Sequence, residues 1–472
     1  MKRFFVFLVL SSICFSASAV GQITGILTQE MLNVPGDVFF VRGDMTLADT
    51  TVTVPAGKTL VFAGGSLDGG KIVGTGSSIQ MLQTRPAFGL NLIVSGTWNV
   101  PEVHDGWFAF DDSKEFVSNQ IIKNLLAFSN DETPCHIFFE ENRTYFFELP
   151  YKGRADLGEV VTYRMVNGEK KRNYSEIFTD DYDYLRIFTI PSNTHLTIKN
   201  KLKMLPTNLG AYFVFWEYGK KNITVDGGGT ISGDNDWHRY DKAFAGSKFF
   251  GEWGHIFRCM RCEGFTFKDV TITDSFGDCV IYMGSDRPEE QNRWSSGLVM
   301  ENVKIIGARR NGVAVGARDV VIRKCHFENC GTDAVKGSAP RSAIDFEADG
   351  LTKYAELGNR NVLMEDCTFS DNYFDVASYN NNLIKYGKNA TTVRNCRFSA
   401  PLKLQSTYWM RFENCYIPFL YNTKDNTSNM LYSRNMEFIN CEFGQLEDAT
   451  LKNAKNVSNK FTNCKFNTAK KK

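Results

Sequence analysis

The last third of the chain alternates apolar and polar residues in short runs, each run closing on a small apolar residue. VVIRKCHFENC, VLMEDCTFSDN, TVRNCRFSA, MRFENCYI, MEFINCEFG and FTNCKFN put a cysteine at one fixed point of the pattern, at Cys325, Cys367, Cys396, Cys415, Cys441 and Cys464. FKDVTITDS and MENVKIIGA fit the same template with Val270 and Val303 in that slot. Period-two alternation marks half-buried strands, and its return at intervals of roughly 20 to 40 residues marks stacked coils. The pattern predicts an all-β chain wound as a parallel β-solenoid. Because Val and Cys share the slot, the cysteines are expected to be small buried apolar residues. Their Cβ vectors would run parallel from coil to coil, which suits a disulfide badly.

The register can be checked further upstream. Asp278, Asn311, Ser342 and Asp375 follow one another at 33, 31 and 33 residues, each two positions before an apolar or small residue. They are expected to occupy successive rungs of one sheet.

Other segments depart from this texture. Residues 1–19 carry Lys2 and Arg3, an apolar run and Ala17-Ser18-Ala19, the pattern of a secretory signal peptide, so a periplasmic or secreted location is expected. Residues 20–100 contain short strands cut by Pro-Ala-Gly and Gly-Gly turns and read as an N-terminal β cap module. Asp112 and Glu115 resemble a capping box ahead of Val117, Ile121, Leu125 and Phe128, which predicts a capping helix over the end of the coil stack. The β-helix is expected over 101–472, with a charged, Tyr-rich inserted loop near 151–183. A chain of this length usually divides into several domains, but a solenoid grows in one dimension and escapes that limit.

Composition then narrows the partners. Lys plus Arg number 54 against 53 for Asp plus Glu, a net charge of +1, which gives no basic footprint for nucleic acid or an anionic membrane surface. No run outside the leader is long and apolar enough to insert in a membrane. Of twelve cysteines, one lies in the leader. Cys259 and Cys262 form a lone CMRC pair with no second pair to complete a metal site. Oligomeric state is left open.

The candidate chemistry sits mid-stack. In SAIDFEADG, Ile344 and Phe346 alternate with Asp345 and Glu347, so both carboxylates are expected on the solvent face of one strand with Cα atoms about 6.7 Å apart. Glycoside hydrolysis uses such a pair as acid and base. Asp278 is expected to assist catalysis from a nearby rung. Arg309, Arg310 and Asn311, then Lys336 and Arg341, approach the same region and are candidate substrate contacts. Asp234, Trp237 and His238 in GDNDWH, with Glu252 and His255 in GEWGH, combine an aromatic face with polar groups, as sugar sites do.

The succession GGGTISGDNDWH, GEWGH, SFGDCVIYMG, RRNGVAV and APRSAIDFEAD resembles bacterial and phage right-handed parallel β-helix proteins of the pectin lyase superfamily, over residues 225–350. The segment 51–116 resembles the cap of secreted Bacteroidetes proteins of that kind. The acids Asp234, Asp278, Asp345 and Glu347 and the bases Arg309 and Arg310 stand at matching positions. Asn235, Phe276, Cys279 and Ala348 depart from the usual Arg, Trp, Gly and Pro, which bears on fine substrate contacts. The resemblance implies a single-stranded right-handed parallel β-helix and a carbohydrate-active protein: a glycoside hydrolase first, with no cofactor and a polysaccharide or oligosaccharide substrate. A polysaccharide lyase is the alternative, with Arg309, Arg310, Lys336 or His255 as base and Ca²⁺ held by Asp345 and Glu347. A noncatalytic glycan binder is the third reading.

Overall fold

The computed structural model describes residues 25–112, 117–149, 163–166, 169–172, 186–207, 211–238, 253–284, 294–333, 338–347, 359–379, 391–404, 407–421, 433–445 and 458–467. The expected signal peptide, Glu115, Glu252, Lys336 and most of the loop near 151–183 lie outside these residues.

Within the coil stack each strand pairs in parallel with the strand one coil earlier and three sheets result, while Tyr163–Val166 and Glu169–Arg172 pair antiparallel outside it. Sheet 1 includes His195–Ile198, Lys221–Asp226, Glu263–Lys268, Val299–Glu301 and Arg360–Glu365. Sheet 2 includes Lys201–Met204, Thr230–Ser232, Thr271–Thr273, Lys304–Ile306, His326–Glu328 and Thr368–Ser370. Sheet 3 includes Ala211–Tyr218, Trp253–Met260, Val280–Met283, Val313–Arg323, Ser342–Glu347 and Phe374–Tyr379. The chain visits sheets 1, 2 and 3 in turn, once per coil, and is therefore a parallel β-helix. Val313–Arg323 passes from sheet 3 into sheet 1 without a break.

Alternation decides what each strand buries. Phe257, Val280, Val313, Ile344 and Val376 follow one another down the inner face of sheet 3, all buried. Each such side chain stabilises the fold by about 1.5–3 kcal/mol through apolar burial. Nearer the C-terminus the rings of Phe412, Phe438 and Phe461 stack at centroid separations of 5.2 and 5.0 Å.

The repeated cysteines line the bend from sheet 1 to sheet 2. All six are unpaired thiols, and all but the half-buried Cys464 are buried. Each Sγ lies 3.3–3.5 Å from the carbonyl oxygen two residues earlier. The residue before each slot makes the bend. Asp269, Asn302, Lys324, Asp366, Asn395, Asn414, Asn440 and Asn463 all have φ between 52° and 55°, the left-handed region that Asn and Asp tolerate best after Gly.

Parallel stacking extends toward the N-terminus. Thr51–Val54 and Leu92–Trp98 flank Gly70–Met81 in parallel, and Val38–Val41 pairs with Thr59–Phe62. The helix Asn119–Leu126 buries Ile121, Ile122, Leu125 and Leu126. It starts later than the Asp112 capping box predicts, with Ser118 as its N-cap residue. The Ser118 N–H donates to the Phe146 carbonyl at 2.6 Å, tying the start of the helix to the strand Thr144–Phe147.

One register expectation fails. Ser342 pairs with Phe374, and Ile344 with Val376, so Asp375 sits one position off the Asp278, Asn311, Ser342 column. Spacing along the chain counts connecting residues as well as strand residues, and these connections differ in length. The Asp375 carboxylate instead braces the next turn, accepting from the N–H groups of Ser399 and Ala400 at 2.6 and 2.7 Å.

Candidate active site

A polar ladder runs up the start of sheet 3. Its members stand one coil apart, so each side chain reaches the backbone N–H of the next. His255 Nδ1 accepts from the Asp278 N–H at 3.1 Å, Asp278 Oδ1 from the Asn311 N–H at 2.9 Å, and Asn311 Oδ1 from the Ser342 N–H at 3.1 Å. The accepting Nδ1 leaves the imidazole proton on Nε2. Burial, then the charges of Arg258 and Arg310, hold His255 well below its ordinary range, so the ring is neutral.

Arg310 projects from this ladder and bridges two acids. Its Nη1 donates to Asp278 Oδ2 at 2.6 Å, its Nε donates to the Ala339 carbonyl at 3.0 Å, and its Nη2 lies 3.8 Å from Glu347 Oε1. Asp278 is fully buried, and burial pushes its carboxyl up to about 6; Arg310 opposes the rise and Glu347 adds to it.

Asp345 and Glu347 share the outer face of their strand, as alternation with the buried Ile344 and Phe346 requires. Their exposures differ from expectation. Asp345 is only 1% exposed, whereas the Glu347 side chain is 29% exposed. Burial first, then the like charge of Glu347 and a hydrogen bond between the two groups, raises Asp345 far above the usual carboxylate range. Asp345 therefore holds a proton next to an ionisable partner, and its Oδ2 makes no hydrogen bond among the described residues. Small residues flank the pair: Asp345 lies between Ala314 and Ala377, and Gly316 approaches Glu347 so closely that a Cβ there would meet its carbonyl at 3.0 Å.

A second cluster adjoins the first through Phe276. Asp234 accepts from the Tyr212 hydroxyl at 2.6 Å and the Thr207 N–H at 2.9 Å, and pairs with His238 Nδ1 at 2.9 Å. His238 stacks on the Phe276 ring at 3.6 Å, and the Arg309 guanidinium lies 4.2 Å from the same ring. Asp234, His238 and Arg309 are all buried, so this cluster stands as a bracket beside the acids. Trp237 lies on the connection leaving sheet 2, exposed, with its Nε1 donating to the Met204 carbonyl at 3.1 Å. Arg341 turns to the Gly331 carbonyl at 2.6 Å and lies over the Tyr373 ring. The structure thus brings Asp278, Asp345, Glu347 and Arg310 together, with His255 and Asn311 behind them. Tyr373 was not singled out from the sequence; the signal available was a Tyr-Phe pair directly after a turn-forming Asp371-Asn372. Among the described residues, no group of three or more His, Cys, Asp or Glu is arranged to hold a metal ion. No helix among them is long and apolar enough to cross a membrane.

No family model matches the chain. Over 165 residues it is 30% identical to the uncharacterized protein YclG of Bacillus subtilis, a stretch making up 34% of this chain. The chain spans 27% of the length of that curated relative. Among solved structures, it is similar to a mutant tailspike protein of Escherichia coli bacteriophage HK620 in complex with a pentasaccharide, at 9% identity and a TM-score of 0.44, covering 78% of this chain and 63% of the tailspike. It is also similar to the surface protein and adhesin PfbA of Streptococcus pneumoniae, at 12% identity and a TM-score of 0.39, covering 94% and 95% of the two chains. At such scores the fold assignment rests on this chain's own strand register.

Proposed function

We propose that the chain is an exported carbohydrate-active enzyme of the pectin lyase-like kind, hydrolysing glycosidic bonds in a polysaccharide or oligosaccharide. The observation that carries this reading is a buried Asp345, its carboxyl raised far above the usual range by burial and by Glu347, on the same strand face as the partly exposed Glu347, with Arg310 linking Glu347 to Asp278. Hydrolysis needs one carboxyl that donates a proton and one carboxylate that accepts one. Asp345 gives its proton to the leaving glycosidic oxygen. Glu347 takes a proton from water, whose oxygen bonds to the anomeric carbon as the C–O bond breaks. The proton then returns from Glu347 to Asp345, and both groups are reset. The two acids touch in the free protein, so the substrate oxygen and the water must enter between them; Glu347, the more exposed, is the one free to move aside. Asp278, fixed by Arg310 and the Asn311 N–H, holds Arg310 in place rather than reaching the substrate.

A lyase needs a base free to remove a proton, and Arg310 is committed to Asp278 while His255 uses Nδ1 as an acceptor within the ladder. Asp345→Asn and Glu347→Gln should each lower turnover by about 10²-fold or more with an unchanged circular dichroism spectrum. Products should show a mass gain of one water by mass spectrometry. Full activity in both variants, or an unsaturated product absorbing in the ultraviolet, overturns the assignment.

A further inference from the structure

The large hydrophobic side chains left exposed among the described residues fall into two sets. Seven lie between residues 26 and 93; the other two are Trp237 and Tyr373, at 39% and 45% exposure. Both are aromatic, and both occupy the same corner of the β-helix. Trp237 follows Thr230–Ser232 and Tyr373 follows Thr368–Ser370, so each lies on a connection from sheet 2 toward sheet 3. Four strand steps separate these two connections in sheet 2. At the spacing of paired strands this is about 19 Å along the helix axis. Asp278, Arg310 and the Asp345 strand follow the three sheet 2 strands in between, one after another.

Each ring is also held in place. The Trp237 indole is anchored by its hydrogen bond to Met204, with Lys203 Nζ 5.0 Å from the ring. Tyr373 is backed by the Arg341 guanidinium at 3.6 Å and meets Phe374 edge-on at 4.7 Å. A fixed, half-exposed aromatic face loses little entropy on contact and suits the apolar face of a pyranose.

We propose that Trp237 and Tyr373 are sugar-stacking platforms at the two ends of a glycan strip that runs along the helix axis past Asp278, Arg310 and Glu347. The substrate is then a chain of several sugars cut internally, a conclusion that rests on the hydrolase reading above. Neither ring takes part in proton transfer, so each should act through binding of the longer chain.

Soluble galactan, xylan, polygalacturonate and chondroitin serve as probes, with oligosaccharide fragments of whichever the wild-type protein cleaves. Trp237→Ala and Tyr373→Ala should each lower kcat/KM about tenfold on long fragments and leave the shortest cleavable fragment unchanged. Trp237→Phe and Tyr373→Phe should recover most of that loss. Equal losses at all lengths, or none in either Ala variant, overturns the proposal while the hydrolase reading stands. If the wild type cleaves none of the four, retardation in a gel containing each polysaccharide decides. Retardation abolished by the Ala variants supports the platforms and removes the hydrolysis; a wild type neither retarded nor active overturns both.

Discussion

The acid pair makes two claims that can be separated at single residues. Asp345 has a raised carboxyl in the folded chain and an ordinary one when unfolded. Between those two values the folded form binds the extra proton, so stability falls as pH rises from below 4 through that window. Asp345→Asn has no proton to lose. Its melting temperature should match wild type near pH 4 and exceed it by several degrees at pH 7 to 8, while turnover collapses; a variant less stable than wild type at pH 8 contradicts the buried neutral acid. Asp278 gives the second claim. Its carboxyl lies near 6 and must be ionised to hold Arg310, so kcat/KM should rise as pH climbs through about 6. Arg310→Gln leaves the ionised Asp278 no guanidinium to hold, so the limb near 6 should disappear from the profile of the variant's residual activity. Asp345 and Glu347 were legible in the sequence because alternation with Ile344 and Phe346 fixes a face, and Asp278 and Arg310 came near them through the coil spacing that held for Asp278, Asn311 and Ser342 and failed at Asp375. The near-complete burial of Asp345 was not legible, since a strand pattern says which side a residue is on and nothing of what lies over it.

At the scale of one coil, the bend between sheets 1 and 2 divides its work between two adjacent residues. Cys415 fills space, and Asn414 supplies the left-handed backbone at φ 53°. Val270 and Val303 occupy the same slot elsewhere in the stack, so Cys415→Val should cost less than about 1.5 kcal/mol in urea unfolding. Asn414→Ala places an unsuited residue at positive φ and should cost about 1–2 kcal/mol. It also breaks a side-chain ladder, since Asn414 donates to Asn395 and accepts from Asn440, both at 3.1 Å. A larger loss for the Val variant than for the Ala variant would show that the thiol, not the bend, holds the coil. The cysteine was visible in the sequence because its apolar exchange with Val is a side-chain signal. The equally regular Asn or Asp before it is a backbone signal, and a polar residue at a turn is too common to stand out until the angles are known. Asp375 shows the complementary error: even spacing along the chain imitated a rung where a shorter connection had shifted the register.

Across the whole molecule, each coil contacts its neighbours, and stability should accumulate from nearest-neighbour interfaces rather than from one central core. A cut should therefore be felt locally. Ending the chain after Gln445 removes the strands Lys460–Thr462 and Lys465–Phe466 and uncovers Phe438 and Phe443, which stack on Phe461 and Phe466 at 5.0 and 5.1 Å. The new end presents apolar rings and unpaired strand edges, so self-association should appear in light scattering and the melting temperature should fall. The acid cluster is far from that end, because Phe374–Tyr379, Leu402–Leu404 and Tyr416–Tyr421 still stand between it and the cut in sheet 3. Turnover by the monomeric fraction should stay within about twofold of wild type, as expected for sites that share no partners. Ending the chain after Ser370 removes Ala377, the register neighbour of Asp345, together with Tyr373, and should abolish turnover. If both truncations lose activity alike, the β-helix unfolds as one cooperative unit, and the additive picture of its coils fails.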